Sequence, residues 1–170
     1  MAAIHGKDTG PEMIVRRWLW RRGYRYRVNY NRLPGHPDIV MRKYKACIFI
    51  NGCFWHGHNI KPETVTNDKS DGTRDITEDS ECCRVPKTNR GFWVRKILRN
   101  MERDVEVQHK LTQMGWRSIT IWECELKGVQ QQKTLQSLEY TLNSIWLRDI
   151  RSYQSFEEET TDFAAEDTPT

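Results

Sequence analysis

No run of apolar residues in this 170-residue chain approaches the roughly 20 needed to cross a bilayer, so a transmembrane helix is excluded. The N-terminus carries no basic-then-apolar leader, and secretion is not expected. Without secretion, five cysteines in an odd count do not read as a disulfide framework; a metal site or free thiols fit better. No internal repeat is present, which sets aside repeat arrays. Apolar residues are also scarce, at 37% with a mean hydropathy of −0.80. Seven Trp, six Tyr and five Phe nevertheless concentrate enough apolar area for a core, and the length fits one domain.

The net charge of +4 conceals an asymmetry. Residues 1–45 hold eleven Lys and Arg against three acids, whereas residues 151–170 hold one Arg against six acids. A basic body interleaved with aromatics is the electrostatic footprint of a polyanion binder, nucleic acid first.

Asp8-Thr9-Gly10-Pro11-Glu12 reads as a helix start, with Pro11 in the first turn and Glu12 complementing the positive dipole end. Ile14, Val15, Trp18 and Leu19 follow at helical spacing, and Gly23 closes the helix. Residues 24–28 alternate as a strand, and 38–41 and 47–50 predict two more. Residues 59–90 show no periodicity and predict a long inserted loop. A helix is expected from Phe92 to about Met114, with Val94, Ile97, Leu98, Met101, Val105 and Leu111 toward the core. A strand around Ile119–Ile121 and a helix over 132–148 complete a domain of 1–149. The acidic segment 150–170 is expected to be disordered. The order of elements predicts an α/β fold, a mixed β-sheet flanked by helices.

Pro37-Asp38 opening a hydrophobic strand is half of the PD-(D/E)xK nuclease pattern, but the expected acid-x-Lys is absent from Cys47–Asn51. In its place stands Gly52-Cys53-Phe54-Trp55-His56-Gly57-His58. Together with Asp8-Thr9-x-Pro11-Glu12, Leu33-Pro34-Gly35-x-Pro37-Asp38, Val85-Pro86-Lys87-Thr88-Asn89, Phe92-Trp93, Arg103-Asp104, Gly115-Trp116-Arg117 and Trp122-Glu123-Cys124, this block resembles the very short patch repair (Vsr) endonucleases. They are a branch of the restriction-endonuclease-like superfamily.

The resemblance implies a Mg²⁺-dependent DNA endonuclease that nicks 5′ to the T of a T:G mismatch, the product of 5-methylcytosine deamination. It places the catalytic aspartate on Asp38, the histidine on His56 and the supporting glutamate on Glu12. The backbone carbonyl of Ile50 would complete the Mg²⁺ site where the family often has threonine. Asn51 stands where the family commonly has a second histidine, and asparagine can donate a hydrogen bond but not transfer a proton. A structural Zn²⁺ would be held by Cys53, His58, Cys124 and either Cys82 or Cys83. Ile60 occupies the usual place of the third cysteine, and the insertion ends in the Cys82-Cys83 pair. Phe54, Trp55 and Met1 would wedge between bases. Arg16, Arg17, Lys87 and Arg90 are candidates for DNA-backbone contacts.

The implied partners are duplex DNA, mismatch-repair proteins and a cognate cytosine-5 methyltransferase. The implied state is a monomer in the bacterial cytosol. Two other readings compete. One is a restriction-type nicking enzyme with a different DNA substrate; the other is a non-catalytic DNA-binding module, which would have no need of Glu12, Asp38 and His56 together.

Overall fold

The computed structural model describes residues 8–28, 30–67 and 73–165, with 153–165 described by backbone alone. Helix α1 spans Gly10–Arg21, and Thr9 caps its start: the Thr9 hydroxyl accepts from the Glu12 N–H and donates to Glu12 Oε1 at 3.0 Å. Strands β1 (Arg27–Val28), β2 (Ile39–Met41) and β3 (Ala46–Asn51) follow, then a hairpin of β4 (Val65–Asn67) and β5 (Arg74–Ile76). Helix α2 (Arg90–Gln113), strand β6 (Arg117–Trp122), a 3-10 turn at Glu123–Leu126 and helix α3 (Gln130–Ala165) complete the chain.

Among the described residues the main sheet has the order β1-β2-β3-β6. β1, β2 and β3 are antiparallel neighbours, while β6 returns parallel to β3 after the α2 crossover, with Ala46 opposite Arg117 and Asn51 opposite Trp122. Period-two alternation then sorts the strands onto two faces. Ile39, Met41, Ala46 and Ile48 pack with Val15 and Leu19 of α1 and Leu135, Leu138 and Leu142 of α3. Val40 and Cys47 face the other way, against Leu111 and Val107 of α2. The mixed α/β sheet with helices on both faces is the architecture expected.

Four local expectations need correction. Within 24–28 only Arg27–Val28 is strand, because β1 pairs with just two residues of β2. The insertion at 59–90 holds the β4–β5 hairpin and its own small core, in which Ile60, Ile76, Cys83 and Val85 pack on Val94, Ile97 and Leu98. Val105 is 69% exposed, because the inward stripe of α2 continues through Val107 and Leu111 instead. Finally, α3 runs through Ala165 rather than ending near 148, so residues 150–165 are helical backbone instead of the disordered tail expected. No Gly or Pro interrupts 130–165, and nothing in that stretch breaks the helix.

Candidate active site and metal centre

The carboxyl ends of β3 and β6 open into a cavity of about 760 Å³ lined by Glu12, Asp38, Ile50, Asn51, Trp55 and His56, with Arg103, Asp104 and Glu123. Residues from the first helix, from the start of β2 and from the loop after β3 thus meet at one place.

Each is positioned by a local cause. Asp38 opens β2 directly after Pro37, beside the end of β3, and its Oδ2 accepts the Ile50 N–H at 2.7 Å. Burial raises the Asp38 pKa; the Ile50 hydrogen bond opposes this, and the nearby Glu12 charge adds to it. Glu12 is 5% exposed and its carboxylate is fully engaged. It accepts from the Thr9 hydroxyl, from the Asp8 N–H at 3.1 Å and from Arg16 NH2 at 2.8 Å.

His56 sits on the loop after β3. Gly57 allows that loop to lie directly on α2: its φ is +61°, and a Cβ there would come within 2.4 Å of Met101 Sδ. One turn further along α2, Asp104 Oδ2 lies 2.5 Å from His56 Nδ1. Asp104 was legible in the sequence only as half of the Arg103-Asp104 block. The available signal was an acid on the inward stripe of α2, three residues after Met101.

A second cluster adjoins the first. Cys53 Sγ, Cys82 Sγ and Cys124 Sγ lie 3.5, 3.2 and 3.3 Å from His58 Nδ1, and the four ligand atoms are all within 4.8 Å of one another. Tetrahedral zinc with ordinary bond lengths would separate sulfur and nitrogen ligands by about 3.6 Å, so three thiolates and one imidazole fit such an ion. Burial pushes the Cys53 thiol up to about 12, and a thiolate there needs a cation beside it. Burial lowers the His58 pKa, which keeps the imidazole neutral and able to ligate.

The geometry decides between the paired cysteines: Cys82 joins the cluster, whereas Cys83 is fully buried in the insertion core and points at the Phe54 carbonyl. Cys53 and His58 bracket Phe54, Trp55 and His56, so an ion bound here fixes both ends of that loop.

Two of the three wedge candidates, Phe54 and Trp55, fall within the described residues. Trp55 is 37% exposed at the cavity edge. Phe54 is half-buried, with its ring 5.1 Å from Trp55 and 5.4 Å from Trp93. Trp93 and the 51%-exposed Phe92 extend the patch, and sequence reasoning did not assign either to the site. Met1 lies outside the described residues.

Of the four basic candidates, Arg17 and Lys87 are exposed. Arg16 is not: it is 7% exposed and paired with Glu12 and Asp8 inside the helix start. Arg90 is committed to the Asp75 carboxylate and the Ile76 and Val85 carbonyls, stapling the insertion to α2. Both arginines therefore serve the fold rather than an open phosphate-binding face.

Comparison with known proteins bears on the same residues. A type II nicking enzyme of Neisseria meningitidis, V.NmeAIP, is 41% identical over 128 residues, covering 75% of this chain and 77% of the relative. The chain belongs to the Vsr family. Its residues 1–62 match the family described as DNA mismatch endonuclease Vsr. The DNA mismatch endonuclease Vsr of Escherichia coli is 35% identical over 75% of this chain and 69% of its own length. The type II nicking enzyme V.XorIIP of Xanthomonas oryzae is 35% identical over 76% and 80%. As a Vsr-family protein the chain is a DNA endonuclease with a restriction-endonuclease-like fold.

Proposed function

We propose that this chain nicks one strand of duplex DNA 5′ to the T of a T:G mismatch, by Mg²⁺-dependent hydrolysis. The single observation that carries this reading is that Glu12, Asp38, Asn51 and His56 line one cavity, beside an exposed Trp55.

Asp38 and the Ile50 carbonyl are the groups that would hold the cation, and the chemistry fits: a hard divalent ion takes carboxylate and carbonyl oxygens and offsets the charge of a buried carboxylate. When bound, Mg²⁺ supplies charge neutralisation to the phosphate oxygens. His56 moves a proton at Nε2, because Asp104 holds its Nδ1 face. Asn51 donates a hydrogen bond to the phosphate but carries no proton, so His56 is the proton-transfer group among the proposed residues. Glu12, fixed by Thr9, Asp8 and Arg16, positions α1 against the site and orients water by its charge.

Trp55, supported by Phe54 and Trp93, wedges into the base stack. Unstacking a step costs a few kcal/mol and less where the pair is mismatched, which itself favours a mispair. Arg17 and Lys87 contact phosphates. Cys53, His58, Cys82 and Cys124 would hold Zn²⁺, which would keep the Trp55–His56 loop rigid. The enzyme acts as a monomer in the bacterial cytosol. A cytosine-5 methyltransferase accounts for the methylated source of its substrate, and mismatch-repair proteins are its partners.

A nicking assay on T:G and fully paired duplexes of several sequence contexts, with and without Mg²⁺, tests the proposal. The expected result is Mg²⁺-dependent nicking of the T strand alone. Equal cleavage of paired duplex would replace the repair reading with a restriction-type one, and the names of V.NmeAIP and V.XorIIP as nicking enzymes keep that reading in view.

A further inference from the structure

Strand β3 lacks the acid that its superfamily pattern calls for: Ala46–Asn51 contains no carboxylate. The neighbouring parallel strand brings one to the same end of the sheet. Asn51 stands opposite Trp122, so the next residue on that side, Glu123, emerges level with Gly52. Its Oε2 lies 3.7 Å from the position a Cβ on Gly52 would take, and the side chain lines the cavity that holds Asp38.

The carboxylates around this cavity differ in what satisfies them. Glu12 accepts from Thr9, Asp8 and Arg16; Asp104 meets His56; Asp38 accepts the Ile50 N–H. Glu123 is half-buried, and no hydrogen-bond donor or cationic side chain among the described residues reaches its carboxylate. Arg16, a nearby buried cation, is already committed to Glu12 and Asp8. Partly shielded like charges repel unless something between them is positive. A hard divalent ion, which takes oxygen ligands from more than one carboxylate, is the group this arrangement suits.

We propose that Glu123 is a second carboxylate ligand of the divalent ion held by Asp38, taking over from β6 the place of the acid missing from β3. This rests on the reading of the cavity as the nicking centre, and the experiment separates the two.

Mn²⁺, a paramagnetic stand-in for Mg²⁺, is titrated into the zinc-loaded full-length protein and free ion is read by electron paramagnetic resonance. Glu123→Gln is expected to weaken Mn²⁺ binding on the order of tenfold or more. The Mg²⁺ concentration for half-maximal nicking rises in parallel, while zinc content by elemental analysis equals that of the parent. Glu123→Asp, which keeps the charge, recovers part of the affinity. Glu63→Gln, an equal charge change on an exposed residue outside the cavity, leaves binding unchanged.

Parental Mn²⁺ affinity in Glu123→Gln, alongside loss of binding in Asp38→Asn, would overturn this proposal alone. Unchanged affinity in both variants would overturn the reading of the cavity itself. Zinc loss in Glu123→Gln would assign the residue to the neighbouring clamp and likewise overturn it.

Discussion

His56 and Asp104 come from segments 48 residues apart and meet with Nδ1 and Oδ2 separated by 2.5 Å. The pair joins the loop after β3 to the middle of α2, and it commits one imidazole nitrogen so that the other is available to the cavity. A carboxylate behind a histidine fixes its tautomer and ring orientation. His56→Ala is expected to lower the nicking rate by about two to four orders of magnitude, the range for loss of a positioned acid–base group. Asp104→Asn lowers it by a smaller factor while leaving Mn²⁺ binding unchanged. Single-turnover kinetics checks both.

The metal clamp makes a prediction that separates two adjacent cysteines. Cys82→Ser abolishes stoichiometric zinc, whereas Cys83→Ser keeps it, as read by elemental analysis of the purified proteins. Loss of an ion present at a thousandfold excess over its Kd removes about 4 kcal/mol of stability. Cys82→Ser should therefore unfold at clearly lower urea than Cys83→Ser, whose effect is a local packing loss of about 1 kcal/mol.

Asp38 is expected to oppose folding when no cation is bound. Its pKa is raised in the folded protein, chiefly by burial. The stability tied to its protonated form is fully present below the unfolded pKa and is lost as pH rises through the folded value. Asp38→Asn keeps the acceptor for the Ile50 N–H and carries no charge. In metal-free buffer at pH 7 the variant should have a higher Tm than the parent, and the gap should close as pH falls below the unfolded value. The same substitution abolishes nicking. Thermal melts across pH check the first statement, and the nicking assay checks the second.

Cys47 gives an alkaline counterpart. Burial pushes its thiol up to about 12 from an ordinary value of 9.0. The raised pKa means that folding retains a proton the unfolded chain releases, so stability falls as pH climbs between those two values. Cys47→Ala should flatten that part of the urea-midpoint profile relative to the parent. In the parent, the Cys47 thiol should resist alkylation at pH 8 until the chain unfolds.

The basic residues divide into two groups with opposite signatures. Arg17→Gln and Lys87→Gln should leave the melting temperature unchanged and each reduce the salt slope of DNA binding by about one. Arg16→Gln leaves Glu12 buried with its ionic partner removed, a change that destabilises by about 3–5 kcal/mol. Arg90→Gln releases the insertion from α2 and should sensitise residues 59–90 to proteolysis. Binding isotherms at several salt concentrations and urea melts distinguish the groups.

Much of this molecule was determined by local sequence. Asp8-Thr9-Gly10-Pro11-Glu12 set the start of α1, and the apolar stretches at 38–41 and 47–50 marked β2 and β3. Asp38, His56 and the Cys-His set were singled out by the resemblance of their surrounding blocks to the Vsr family, since each residue taken alone also fits a structural role. What the chain could not state locally was decided by packing. Which of Cys82 and Cys83 faces His58 depends on the insertion core that buries Cys83. Arg16 and Arg90 look like phosphate contacts in one dimension, and they are structural because buried carboxylates and carbonyls claim them first. Asp104 and Glu123 reach the cavity only because Gly57 lets a loop rest on Met101 and because β6 returns parallel beside β3. Contacts of that kind arise between segments far apart in the chain, and only the folded sheet fixes their register.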